Sequence, residues 1–303
     1  MTARCAAHAE YTESTMSLAH ELSELAVECL HVEVDTYPKP GLVSHVDNGA
    51  HRDMDASLLH RSAEGLAPYF VQLALAGARN AEMEQLRQIG IAAEAHMLGI
   101  TQGVNTHRGA IFGLGLLVAA AGLRSALPTK APLGRIVAER WGPSILNGPA
   151  PGHSHGALVT RRYAVGGARE EAARGFPAAY GTGLVALRAG RQLARGDEQA
   201  ARVQACFALV AVLDDTNLLY RAGRGGLHFA QAEATGFLRG GGVAMATWRE
   251  QACEIHRRFV ARNLSPGGAA DLLGITLFID AEERRFAAPP KNLTGRRQVG
   301  EPC

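Results

Sequence analysis

The stretch Ser17-Leu-Ala-His-Glu-Leu-Ser-Glu-Leu-Ala-Val-Glu-Cys-Leu-His-Val-Glu-Val-Asp-Thr36 decides the fold class. Its apolar residues fall at Leu18, Leu22, Leu25, Ala26 and Cys29, the three-and-four spacing of one helix face. The same pattern predicts helices over 55–78, 81–100, 106–124, 131–141, 168–174, 176–195, 198–214, 226–238, 242–262 and 267–281. Alanine and leucine are abundant and alternating β-branched runs are nearly absent, which favours helix over strand. Gly-, Pro- and Asn-rich breaks separate the helices at 37–50, 101–105, 142–154, 221–226 and 263–268. The chain therefore reads as all-α, one compact multi-helix domain over 15–282, with 1–14 and 283–303 as weakly ordered tails. The best linker, Gly142 to His155, does not divide it, because candidate site residues fall on both sides.

With 303 residues the chain can bury a large core. A net charge of +2, with no basic block or stripe, argues against a nucleic-acid partner. The uncharged, strongly apolar run Gly109 to Leu123 is short and glycine-rich, so it reads as a buried helix and no membrane partner is expected. The first fifteen residues carry Arg4, Glu10 and Glu13 and lack an apolar signal core. Five scattered cysteines show no metal or redox spacing, and a cytoplasmic protein with reduced thiols is the simplest expectation.

The helix over 17–36 runs into Glu33-Val-Asp-Thr-Tyr-Pro-Lys-Pro-Gly-Leu-Val43. Glu33 continues the apolar stripe four residues after Cys29, and a buried carboxylate needs a partner or a metal, unless the stripe has ended and Glu33 is exposed. Pro38 and Pro40 fix the backbone on either side of Lys39, one of three lysines among 31 basic residues. A lysine held that stiffly suggests an anion met at a defined place.

Further constellations fall at the other breaks. His51, Asp53 and Asp55 stand just before a helix, where an acid can cap or bind a divalent cation. Asn105-Thr106-His107-Arg108-Gly109 opens the most apolar helix, whose free amides and dipole attract an anion. Gly166-Gly167-Ala168-Arg169-Glu170 places an arginine in a first helical turn, which the dipole disfavours unless an anion is shared there. Asp214 and Asp215 end an apolar run, opposing the dipole and each other, and a cation would relieve both problems. Arg221-Ala-Gly-Arg-Gly-Gly226 and Asn263-Leu-Ser-Pro-Gly-Gly268 are glycine-rich turns suited to phosphate. His153 and His155 form at most a weak metal pair. Acids near apolar helix ends, with cations in glycine turns, suit a polyphosphate with Mg²⁺.

Together these segments resemble the triphosphoribosyl-dephospho-CoA synthase family. The resemblance rests on Pro38-Lys39-Pro40-Gly41, Gly49-Ala-His51 with Asp53, and Asn105-Thr-His-Arg-Gly109. It also rests on Gly167-Ala-Arg169-Glu170, Asp215-Thr-Asn217, and Asn263-Leu-Ser265-Pro-Gly267-Gly268 with Ala270-Asp271-Leu272-Leu273. Arg108 stands where lysine is common in that family, and keeps the charge.

The resemblance implies a transferase that joins ATP to 3′-dephospho-CoA. The acceptor ribose 2′-hydroxyl attacks C1 of the ATP ribose and adenine leaves. The product would be the prosthetic-group precursor of the malonate decarboxylase or citrate lyase acyl carrier protein, handed to a carrier-protein transferase. The alanine- and arginine-rich style leans towards malonate decarboxylase, without a diagnostic residue. Such chemistry needs a base for the hydroxyl and carboxylates beside a cationic sugar. On this reading Glu33 is the base, with Glu170 as substitute, and Asp214 and Asp215 hold Mg²⁺ or steady the sugar. Asp53 is a further metal ligand. Lys39, Arg108, Arg169 and Arg221 clamp phosphates, with Asn105, Thr106, His107, Asn217, Ser265 and Gly267 completing the substrate site. Two alternatives stay open: a Mg²⁺-dependent hydrolase of ADP-ribose-type linkages, and a non-catalytic carrier-protein partner. Whether the chain forms a homodimer also stays open.

Overall fold

The computed structural model describes residues 2–149 and 155–287. Among them are thirteen α-helices and no strand: α1 (Thr2–Asp35), α2 (Ala56–Gly65), α3 (Ala67–Ala78), α4 (Met83–Ile100), α5 (Arg108–Ala126), α6 (Leu133–Asn147), α7 (His155–Tyr163), α8 (Gly167–Ala173), α9 (Leu184–Leu193), α10 (Glu198–Val212), α11 (Thr216–Arg239), α12 (Trp248–Ala261) and α13 (Gly267–Ala287). A π-turn, Ala179–Gly183, leads into α9, and a 3₁₀ turn, Gly242–Ala244, precedes α12. The all-α expectation holds.

Several helix bounds differ from the sequence pattern, each for a local reason. The helix expected over 55–78 is two, because the chain turns at Leu66, whose amide bonds back to Ala63, and Pro68 then starts α3. The helix expected to stop at 141 runs through Pro143 to Asn147. The break expected at 221–226 lies inside α11, which kinks at Gly223 where φ is 61°. α11 starts earlier than expected, at Thr216, because Asp215 caps it. α7 has no counterpart in the pattern. His153 lies outside the described residues.

α5 runs through the centre, packed against α1, α3, α4, α6, α8 and α13. By length and composition it could cross a membrane, yet 78% of its most apolar window is buried inside the fold, as in a core helix. Its approach to α3 depends on missing side chains. A Cβ on Gly77 would lie 1.9 Å from the Ala119 carbonyl oxygen, and one on Gly122 would lie 2.1 Å from that of Ala74. The far end of α5 is pinned to α13 by a buried ion pair, Arg124 Nη2 to Glu282 Oε1 at 2.9 Å. At the near end the start of α5, the end of α1 and the starts of α11 and α13 meet beside the loop from Thr36 to Asp55, and a cavity opens there.

Candidate active site

The inner cavity has a volume of about 140 Å³. Glu33 enters from α1, His51 from the loop, and Asn105 to Ala110 from the start of α5. Asn217 and Arg221 come from α11, and Ser265, Gly267 and Asp271 from the start of α13. An outer cavity of about 640 Å³ adjoins it, sharing His51 and Arg221 and lined also by Arg52 and Asp53. The inner space alone is below the ~300–1,000 Å³ of ordinary ligand pockets, but it admits a sugar-sized group whose remainder extends outward.

Lys39 is not at the cavity surface. It is 1% exposed, and its ammonium donates to the Glu33 carboxylate and to the Glu33 backbone carbonyl. The stiff pose expected of Lys39 exists, but it aims the charge inward. His256 on α12 braces the loop, with Nδ1 2.6 Å from the Lys39 carbonyl and Nε2 3.1 Å from an Asp47 carboxylate oxygen. Burying both charges is tolerable because they neutralise each other.

On the α5 wall Asn105 Oδ1 accepts from the Arg108 amide at 3.2 Å, although the N-cap position itself falls to His107, which makes no side-chain cap bond. Thr106 and His107 both meet Ser62: its hydroxyl is 2.7 Å from Thr106 Oγ1 and 3.0 Å from His107 Nδ1. Burial holds the His107 imidazole at a pKa of about 3, with His31, His60 and Lys39 adding to the shift, so the ring is neutral. Arg108 pairs with Glu94, and its Nε is buried without a partner. On the opposite border Arg221 Nη1 donates to Ala50 O at 3.1 Å and to Asn263 Oδ1 at 3.0 Å, and His51 Nε2 lies 2.8 Å from Ser265 Oγ. Burial and the neighbouring Arg221 lower the His51 pKa, against a smaller opposing pull from Asp53.

Asp215 is buried as well, but its oxygens are engaged by backbone. Oδ1 accepts from the Asn217 and Leu218 amides at 2.8 and 3.2 Å, capping α11, and Oδ2 accepts from Ala269 at 3.0 Å. Burial pushes its carboxyl up, while these amides and that of Gly268 pull it back. One carboxylate thus ties together the starts of α11 and α13.

Besides Lys39 and Asp215, three more expected residues line neither cavity. Arg169 donates to the last carbonyls of α6, including Leu146 at 3.1 Å and Gly148 at 2.8 Å. The cation that looked misplaced at the start of α8 therefore serves the negative end of another helix, and no anion is needed to explain it. Glu170 is exposed beside Arg174 at 3.4 Å, and Asp214 is exposed after α10.

A family model described as ATP:dephospho-CoA triphosphoribosyl transferase matches residues 19–290 of this chain. The chain belongs to that family. A probable 2-(5''-triphosphoribosyl)-3'-dephosphocoenzyme-A synthase of Pseudomonas aeruginosa (strain UCBPP-PA14) is 47% identical over 266 residues, covering 86% of this chain and 89% of the relative. Proteins of the same name from Stutzerimonas stutzeri (strain A1501) and Azotobacter vinelandii are 44% and 43% identical, each covering 90% of this chain and 95% of the relative. No solved structure matches. As a member of this transferase family the chain is an enzyme, and the cavity is its candidate active site.

The metal ligands expected in this transferase do not come together. Asp215 is occupied by amides, Asp214 is exposed after α10, and Asp53 is 63% exposed in the outer cavity. Among the described residues no three His, Cys, Asp or Glu side chains gather as a metal site. The site residue that sequence reasoning left out is Asp271. Its signal was present: it is the only charge in an apolar run from Leu264 to Ile279, one turn into a helix that begins with two glycines.

Proposed function

We propose that this transferase moves the 5-triphosphoribosyl group of ATP to the ribose 2′-hydroxyl of 3′-dephospho-CoA and releases adenine. The observation that carries this reading is Glu33, a carboxylate neutralised from behind by Lys39 and open to the inner cavity on its other side. It has the position of a base for the attacking hydroxyl. The reacting ribose occupies the inner space, and the triphosphate reaches outward past Arg221 and His51 toward Arg52. The amide end of α5 and Arg108 offer a second anion contact. Magnesium comes as part of the substrate, as the MgATP complex, and the acids first expected to hold it, Asp53, Asp214 and Asp215, lie apart or are occupied by amides. Both nucleotides are cytoplasmic metabolites, and the joined product is the prosthetic-group precursor for a malonate decarboxylase or citrate lyase carrier protein, delivered by a separate transferase.

The test is mass spectrometry of products from ATP, Mg²⁺ and dephospho-CoA, with and without the acceptor. Adenine plus a nucleotide of the joined composition, formed only with acceptor, is expected. Adenine or ribose triphosphate released without acceptor means a hydrolase, and no adenine in either case means a binding protein.

A further inference from the structure

Two carboxyl groups reach the inner cavity from different helices, and their surroundings are opposite. Glu33 has a buried ammonium of its own. Asp271 has no ion pair among the described residues and accepts from the Ala110 amide at the start of α5. It is packed tightly: a Cβ on Gly109 would lie 2.0 Å from Asp271 Oδ2, so the carboxyl rests directly on the glycine backbone. Every element around it has been supplied with a charge or a dipole. α1 brings Glu33, with Lys39 behind it, and the start of α11 brings Asp215. The start of α5 brings neutral His107 and Arg108, the latter paired with Glu94 and partly exposed.

We propose that Asp271 is a second catalytic residue of this enzyme, the proton donor to the departing purine base. This rests on the transfer reaction proposed above. Lys39 can neutralise one carboxylate only, and it is committed to Glu33. Asp271 faces two further carboxylates, and burial first, then Glu33, then Asp215 raise its pKa well above the usual aspartate range. Desolvation and neighbouring like charges both favour the protonated form of a carboxyl, and two acids in opposite surroundings within one cavity are arranged to divide into base and acid. The step balances. The acceptor 2′-oxygen forms its bond to ribose C1′ as its proton passes to the Glu33 carboxylate. The C1′–N9 bond breaks with its electrons on adenine, which takes the proton of Asp271 and leaves neutral. Glu33 then loses a proton to solvent and Asp271 regains one.

The experiment compares full-length wild type with Asp271→Asn, following adenine release across about pH 5–9, with folding checked by thermal melting. Asparagine keeps the acceptor for the Ala110 amide but cannot donate the proton. The expected result is a fall in kcat of about 10²–10⁴-fold, a KM for ATP within a few-fold of wild type, and loss of the alkaline fall in kcat that wild type shows. Retention of activity within about tenfold overturns the proposal. So does an alkaline limb that survives in the variant, or activity restored by raised Mg²⁺, which would make Asp271 a metal ligand. Should the variant not fold, wild type alone still tests the idea: a kcat that does not fall on the alkaline side refutes it. A wild type that joins no nucleotides at all refutes the transfer reaction, whereas an active wild type with an active variant refutes only the role of Asp271.

Discussion

Lys39 lies beneath Glu33, not beside it at the cavity surface, and its ammonium is spent on that residue's carboxylate and carbonyl. A cation expected to grip phosphate instead pairs with an acid that lines the inner cavity. The distinction is measurable.

Replacing Lys39 with Ala should lower kcat by about 10²-fold while leaving the KM for ATP nearly unchanged, since the ammonium is buried against Glu33 and does not line the cavity. It should also cost about 3–5 kcal/mol of stability, because it strands a buried carboxylate. Pairing Lys39→Met with Glu33→Gln should restore the stability and not the turnover. Steady-state kinetics with urea melts check both halves, and a large rise in KM at unchanged kcat would return Lys39 to the phosphate site.

Asp215 should behave as a structural residue. Asp215→Asn keeps one acceptor oxygen for α11 but cannot serve α13 equally, so a loss of about 1–3 kcal/mol is expected, and Asp215→Ala should lose more. Denaturant midpoints would show it. An Asn variant of unchanged stability and abolished turnover would mean that the carboxylate acts in the chemistry.

His107 gives the fold an acid-sensitive component. Its pKa is about 3 in the fold against 6.5 when unperturbed. Below 6.5 the unfolded chain takes up a proton that the folded chain refuses until about 3, so this contribution is complete above that window and is lost as pH falls through it. The slope approaches about 1.4 kcal/mol per pH unit. In His107→Gln the stability measured by urea melts between those limits should fall less steeply with acid. Equal slopes would mean that the ring is not buried neutral.

The Arg124–Glu282 pair joins α5 to α13 with both side chains almost fully enclosed. Arg124→Met should cost up to about 3–5 kcal/mol by leaving Glu282 only its looser contact with Arg285 at 3.7 Å, and adding Glu282→Leu should recover most of it. Thermal and urea melts of the two variants decide the matter, and a double variant no better than the single would contradict it.

Much of the site could be read from segments whose partners are local. Asn105 accepts from the first amide of α5, and Thr106 to Gly109 line the cavity. The misreadings involve partners far away in sequence. Asp214 and Asp215 were read as one pair at the end of α10, but Asp215 opens the next helix, whose start was hidden by the glycines near 223. The polarity conflict at Arg169 was real, and α6 resolves it from more than twenty positions upstream.

Helical periodicity and the turn residues were enough to establish an all-α chain with its acids and cations at helix ends, because those features depend on neighbours three or four positions apart. Where each charge points was decided only by tertiary packing. Lys39 turns inward because α12 braces its loop and Glu33 accepts its ammonium, and Asp271 rests on Gly109 because α13 meets the start of α5 there. Burial and charge pairing are properties of the assembled helices, and they, not residue type, separate a lysine paired inward from one at the cavity surface and a capping aspartate from a cavity-lining one.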